Sequence, residues 1–181
     1  MRASLSFLIL LLLIFTGCKN NTLTKKDKEQ VSSNYLFKKL GKEKTKINFK
    51  NNFEETLYFN FLNYPYVYNG GGVAVGDINN DGLEDVYFSS NQGSNKLYLN
   101  KGDFEFSDIT ISAKVEDAQG WTTGVSMIDI NQDGWLDIYV CKSGSMQDNN
   151  LRRNKLFINK HDGTFKESAK EYGLDSPAFS T

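Results

Sequence analysis

The chain has 181 residues, with 21 Lys and Arg against 22 Asp and Glu and a formal net charge of −1. A charge so close to zero argues against nucleic acid as a partner. Aromatic residues make up 13% and there are two prolines, a composition that suits a β-rich globular protein and not a disordered one.

The first elements in chain order are targeting segments. Arg2 gives a positive start, Leu5 to Phe15 is an apolar run, and FTGC ends at Cys18. A charged start, a short apolar run and small residues before a cut are the layout of a secretory signal. As a helix, Leu5 to Phe15 spans roughly 16 Å, too short for a hydrocarbon core of ~30 Å. Gly17-Cys18 after that run resembles the lipobox of bacterial lipoproteins. Phe15 stands where that pattern more often has Leu. The resemblance implies a signal peptide over 1–17, lipidation of Cys18, and a membrane as partner through the lipid. Acyl chains at ~0.8 kcal/mol per buried methylene would hold the protein there. Lys19, not Asp, follows the cysteine, which by resemblance does not favour retention at an inner membrane. The expected location is the cell envelope, at the outer membrane.

Residues 18–46 are polar and lysine-rich and read as a tether, with a short helical turn expected in YLFKKL. Residues 47–71 form a lead-in whose Leu57, Phe59, Phe61 and Tyr64 are expected to pack. One cysteine besides Cys18 remains, Cys141, in the alternating run LDIYVCKSG. It cannot form an internal disulfide in the mature chain and is expected to be a small buried residue.

From Gly72 the chain repeats itself. GVAVGDINNDGLEDVYFSS precedes NKLYLNKGDFEFSDIT, and GVSMIDINQDGWLDIYVCKS precedes NKLFINKHDGTFKES. Asp129 follows Asp77 by 52 residues and Asn154 follows Asn95 by 59, the seven additional residues falling in the polar SGSMQDNNLRR. The boundaries are 72–120 for the first repeat and 121–181 for the second. In each copy β-branched and aromatic residues alternate with polar ones over short runs separated by Asp, Asn and Gly turns, the strand signal. Four antiparallel strands in ~50 residues has the dimension of a propeller blade. The fold class expected is all-β: two four-stranded antiparallel blades of an incomplete β-propeller.

The acidic loops carry the chemistry. Asp77, Asn79, Asp81 and Asp85 occupy positions 1, 3, 5 and 9, and Asp129, Asn131, Asp133 and Asp137 repeat them. Position 7, Leu83 or Trp135, can offer its carbonyl oxygen. Five oxygen-donating positions with three carboxylates suit calcium at about 2.3–2.6 Å. Without a cation the carboxylates would repel one another. Gly82 and Gly134 sit where a side chain would obstruct the turn. An EF-hand needs a bidentate Glu at position 12 and flanking helices. Position 12 is Phe88 or Val140 and the flanks are strand-like, so the loop is expected inside a β-hairpin. Asp, Asn and Gly are also plain turn formers; the second copy with all four side chains matched favours calcium.

GVAVGDINNDGLEDVYF and GVSMIDINQDGWLDIYV resemble FG-GAP, or VCBS-type, repeats. Such repeats form blades of the integrin alpha-subunit propeller and bind calcium in blade hairpins. NGGGVAVGDINNDGLEDVYFSSNQGSNKLYLNKG together with GWTTGVSMIDINQDGWLDIYVCKSG resembles bacterial proteins that carry an ASPIC/UnbV domain, over about Phe37 to Thr181. The resemblance implies blades of a seven-bladed propeller, whereas two units stand here. The chain is therefore expected to be part of a larger protein.

An enzyme is the competing class. The single histidine, His161, lies in NKHDGTF where the first copy has KGD, and reads as a turn residue. No G-x-S-x-G elbow is present, and NGGGVAV lacks the Lys-Ser/Thr of a phosphate loop. The reading is a non-enzymatic, lipid-anchored module with structural calcium, binding an unidentified protein or glycan at the envelope. The alternative is the N-terminal part of a propeller enzyme acting on extracellular polysaccharide, its catalytic residues outside this chain.

Overall fold

A computed structural model describes residues 36–57, 59–144 and 148–180. The signal segment, Cys18 and the tether as far as residue 35 lie outside these. The chain divides at Lys39, and Leu40 onward forms one unit.

That unit is all-β. Its strands are β1 Val73–Gly76, β2 Asp85–Phe88, β3 Lys96–Asn100, β4 Phe106–Asp108, β5 Trp121–Ile128, β6 Asp137–Ser143, β7 Lys155–Asn159 and β8 Phe165–Glu167. They make two four-stranded antiparallel sheets in sequence order, β1-β2-β3-β4 and β5-β6-β7-β8. The expected fold class holds. The strand of the second copy that faces the acidic loop is longer than its counterpart: β5 begins at Trp121, with a bulge between Thr122 and Gly124.

Alternation decides which faces meet. In β2, Asp85 and Tyr87 are buried while Val86 and Phe88 are half-exposed. Tyr87 pairs with Ala74 on β1 and Leu97 on β3, so these three share a face. Opposite stand Ile138 and Val140 of β6 and Phe157 of β7, in one buried cluster that also takes in Ala113 and Val115 from the connection between the sheets. Each large side chain buried there contributes ~1.5–3 kcal/mol. Ile78, the second residue of the first acidic loop, is also part of this cluster. The loop is thus rooted in the core between the sheets.

The outer faces are covered from each end of the chain. Phe49 stacks on Phe88 with centroids 4.9 Å apart, and Asn48 N–H donates to the Tyr98 hydroxyl at 3.3 Å. On the second sheet Leu156, Ile158 and Ala169 cluster with Tyr139 and Leu174. Within the lead-in, Phe59 and Tyr64 pack on the buried Trp121, at 4.7 and 6.0 Å. Phe61 stacks on Tyr68 at 6.3 Å but is 52% exposed, and Leu57 does not pack as expected, at 87% exposed.

The helical turn expected in YLFKKL falls further on, as α1 Lys42–Thr45. Gly41, extended at φ −83° and ψ 163°, caps it, and Lys46 ends it in the left-handed region. Lys44 pairs with Asp103 beyond β3, a tertiary contact that a propensity argument over 35–40 does not contain.

A buried ion pair ties the second sheet to the connection between the sheets. Lys142 on β6 is buried, and its ammonium donates to Asp117 Oδ2 at 2.6 Å and to the Gln119 carbonyl. Asp117 lies on the connection between the sheets and its carbonyl accepts from Asn95 N–H at 3.3 Å. Cys141, beside Lys142, is half-buried, and burial pushes its thiol up.

Candidate metal centre

Each acidic loop joins the first two strands of its sheet, as expected for a hairpin. The turn requires left-handed backbone at two places: Asn80 and Gly82 have φ of 57° and 84°, Gln132 and Gly134 60° and 86°. Asn and Gly adopt this region readily, and a β-branched residue would not.

The first carboxylate organises the turn. Asp77 Oδ1 accepts the N–H groups of Asn79 and Asp81 at 3.3 and 3.2 Å, and Oδ2 accepts Gly82 N–H at 2.7 Å. Asp129 repeats this with Asp133 and Gly134, at 3.0 and 2.9 Å. At position 5, Asp81 Oδ1 accepts Leu83 N–H, and Asp133 Oδ1 accepts Trp135 N–H, both at 2.9 Å. Asn79 and Asn131 donate to Oδ2 of those same carboxylates at 2.9 and 2.7 Å. Two segments 52 residues apart have built the same object.

The ninth position has a role that its place in the pattern does not announce. Asp85 and Asp137 are fully buried. Asp85 Oδ2 accepts Ile78 N–H at 3.0 Å and Oδ1 accepts Asn100 N–H, at the end of β3, at 2.7 Å. Asp137 makes the same pair with Ile130 and Asn159, at 3.2 and 2.8 Å. Each is a latch that joins its loop to the third strand. Burial pushes both carboxyls above the ordinary carboxylate range. Their backbone donors oppose this, and the charges at positions 5 and 1 of the same loop add to the rise. That addition places all three carboxylates of each loop within electrostatic reach of one another.

Among the described residues, no three His, Cys, Asp or Glu side chains close on a common point as a metal cluster. The physical reason is visible in the hydrogen bonds. The ninth carboxylate is turned into the sheet by its latch, and the other donors of each loop are an Asn side chain and a main-chain carbonyl. Each latch oxygen accepts one N–H and keeps a further lone pair. The donor set, oxygen throughout, is the chemistry a hard cation takes.

Asn100 and Asn159, absent from the sequence reading, complete the frame. Asn100 Nδ2 donates to the Glu84 carbonyl at 2.9 Å. Asn159 Nδ2 donates to the Leu136 carbonyl of its own loop at 3.1 Å and to the Ile78 carbonyl of the other loop at 2.8 Å. Asn80 of the first loop donates to the Gly134 carbonyl of the second at 3.2 Å. The loops are therefore neighbours. Gly76 keeps this approach close: a Cβ there would stand 2.6 Å from Leu136 Cδ1 and make that side chain shift. The signal that could have found the asparagines was their recurrence in NKLYLN and NKLFIN.

His161 is in a turn, with φ 61°, as expected. It also reaches the second loop: Nε2 lies 2.9 Å from Asp133 Oδ2, and the ring stacks on Trp135 at 4.8 Å. Asp133 is held below the ordinary carboxylate range. Partial desolvation raises it, but the His161 contact, Trp135 N–H and Asn131 together outweigh that.

Comparison with known proteins agrees with this architecture. Residues 77–140 match the family model described as FG-GAP-like repeat. The chain is 43% identical over 72 residues to cartilage acidic protein 1 of Xenopus tropicalis, and 40% identical over 72 residues to that of Homo sapiens. Each match covers 39% of this chain and 11% of the relative, so the chain spans about a tenth of the length of the curated relatives it matches. The segment from Asp77 to Val140, which holds both acidic loops, β2 to β5 and the start of β6, matches an FG-GAP-like repeat.

Proposed function

We propose that the two loops bind calcium and that the chain is a calcium-braced repeat module which binds a protein or glycan at the cell envelope. Asp77, Asn79, Asp81, the Leu83 carbonyl and Asp85 would hold one ion. Asp129, Asn131, Asp133, the Trp135 carbonyl and Asp137 would hold the other. Bound calcium would supply positive charge that cancels the repulsion among three carboxylates. The observation that carries the reading is that both loops present the same oxygen donors at the same five positions, with three carboxylates near one another in each.

Binding, not catalysis, is favoured by the aromatic residues at the end of the sheets away from the loops, where Trp121 pairs with Ser143. Tyr66 and Tyr68 of the lead-in are 63% and 66% exposed. A cleft of about 620 Å³ lies beside Tyr64, Tyr66 and Phe179. Aromatic rings on exposed loops are the usual equipment of a binding surface. Anchoring through a lipidated Cys18 belongs to the same proposal. Among the described residues no helix is long and apolar enough to cross a membrane.

Calorimetric titration of the EDTA-stripped chain with calcium tests the reading. Two ions should bind, Asp81→Ala should remove one, and Asp133→Ala the other. No heat of binding in the unaltered chain would overturn it. For the anchor, Cys18→Ser should move the protein out of the membrane fraction, and continued fractionation with membranes would refute lipidation.

A further inference from the structure

The cleft beside the aromatic lead-in has a chemistry of its own. Its volume of about 620 Å³ is within the ~300–1,000 Å³ of small-ligand sites. Three stretches distant in sequence build it: residues 64–71, the strand ends at Trp121, Thr123 and Ser143, and Phe179. None of the residues that line it is charged. Arg152 lies over the Phe179 ring at 4.9 Å, but its guanidinium is engaged by the Pro177 carbonyl and Asn149. An ionised group entering the cleft would lose water without meeting a counter-charge, so the lining selects a neutral ligand.

The rings are held in place before any ligand arrives. Tyr64 stacks on Phe59 at 5.5 Å and meets Tyr66 and Trp121 edge-on at 5.9 and 6.0 Å. Tyr66 itself remains exposed. Polar capacity is also left unspent. Ser143 is buried, and its hydroxyl accepts from the Tyr64 hydroxyl at 3.4 Å. Among the described residues, the Ser143 hydroxyl hydrogen, the Asn69 amide and the Tyr66 hydroxyl have no further partner.

Hydroxyls and amides both donate and accept, and so does the rim of a sugar ring. The faces of a pyranose present C–H groups, which suit the negative face of an aromatic ring. A proline-rich peptide also lies in aromatic grooves, but its proline nitrogens have no hydrogen to give. It would answer the donors of the cleft and leave the acceptors unmet.

We propose that this cleft binds a neutral oligosaccharide, with one pyranose ring against Tyr66 and its hydroxyls on Ser143 and Asn69. This rests on the reading of the chain as a binding module, and narrows its partner to a glycan held at one place.

The test uses the full chain with calcium present. Calorimetry and saturation-transfer NMR follow cellohexaose, maltohexaose, xylohexaose and mannohexaose, with hexagalacturonate as the charged control and decaproline as the peptide control. At least one neutral sugar should bind, and more tightly than either control. Tyr66→Ala should weaken it at least about tenfold, as loss of a central aromatic contact does, while Tyr66→Phe keeps the ring and should cost under about threefold. Tyr66 is exposed, so an unchanged melting temperature in both variants separates a lost contact from a lost fold. Sugar binding indifferent to Tyr66→Ala would overturn the proposal and leave a glycan reading standing elsewhere on the chain. Decaproline bound in preference, and lost in Tyr66→Ala, would overturn it in favour of a protein partner. Tighter binding of hexagalacturonate, or no binding of any neutral sugar, would overturn it too. The calcium titration is read separately and stands or falls independently of these results.

Discussion

Asp137→Ala separates a latch from a ligand. Both oxygens of the Asp137 carboxylate accept backbone N–H groups, from Ile130 at 3.2 Å and Asn159 at 2.8 Å. The residue is fully buried and Asn159 nearly so. Removing the carboxylate leaves two donors without acceptors, each costing about 1–3 kcal/mol. A smaller effect has the opposite sign: the variant loses a charge that burial and the neighbouring Asp133 and Asp129 disfavour, as the raised pKa records. The net expectation is a loss of about 2–4 kcal/mol of unfolding free energy, measured by urea unfolding in EDTA so that no cation contributes. Asp133→Ala, at a residue whose side chain is 27% exposed, should cost under ~1 kcal/mol in the same assay. Both variants should lose calcium at the second loop. If Asp137→Ala unfolds in EDTA like the unaltered chain, the latch is not holding the loop and the carboxylate is a ligand alone.

Further consequences follow from other contacts. Lys142→Met leaves Asp117 buried and unpaired, and breaking a buried pair this way costs about 3–5 kcal/mol; adding Asp117→Leu should recover much of the loss, and failure to recover would show that Lys142 acts through something other than the pair. Asp108 is partly desolvated, but the Thr110 hydroxyl at 2.6 Å and Lys96 at 2.9 Å hold its carboxyl below the ordinary carboxylate range. A depressed carboxylate stabilises the fold above its unfolded pKa, so this contribution is present above about pH 4 and disappears as pH falls through the lower folded value. In Asp108→Asn the acid limb of the stability curve should flatten, and an unchanged limb would refute the assignment. Gly120→Ala should destabilise strongly, because φ is 76° and the new Cβ would stand 2.1 Å from the Leu151 carbonyl oxygen; thermal unfolding at the level of the unaltered chain would count against that packing.

The strands and loops were legible because their signals are local. VAVG, DVYF and KLYLN alternate within themselves, and DINNDG carries its own turn chemistry. The repeat supplied the rest, since each strand of one sheet had a counterpart about 52 to 59 residues away. What was not legible depends on residues distant in sequence. His161 meets Asp133 across 28 positions, and Asn159 meets the Ile78 carbonyl across 81. Nothing in NKHDGTF says which neighbour its histidine will face. The ninth Asp could be recognised as a member of a ligand pattern, but its burial follows from the register that sets Asp85 opposite Gly76. Leu57 departs from expectation for the opposite reason: apolar character does not itself select a partner, and Trp121 takes Phe59 and Tyr64 instead.

The latches also bear on how calcium should act. In an isolated metal-dependent loop the cation assembles the structure, and folding and binding are one event. Here Asp77 and Asp129 close their turns on backbone N–H groups, and Asp85 and Asp137 fix those turns to β3 and β7 through contacts that involve no metal. Calcium would then act on loops already in shape. It should add stability by mass action and leave secondary structure alone. At a hundredfold excess over its dissociation constant each site contributes about 2.7 kcal/mol. Two sites give about 5 kcal/mol, or a rise in melting temperature of roughly 10–20 °C for a chain of this size. Circular dichroism in the far ultraviolet should not change between EDTA and calcium at low temperature. A large gain of β signal on adding calcium would mean that the sheets wait for the cation, and that the latches seen here are a consequence of binding and not its preparation.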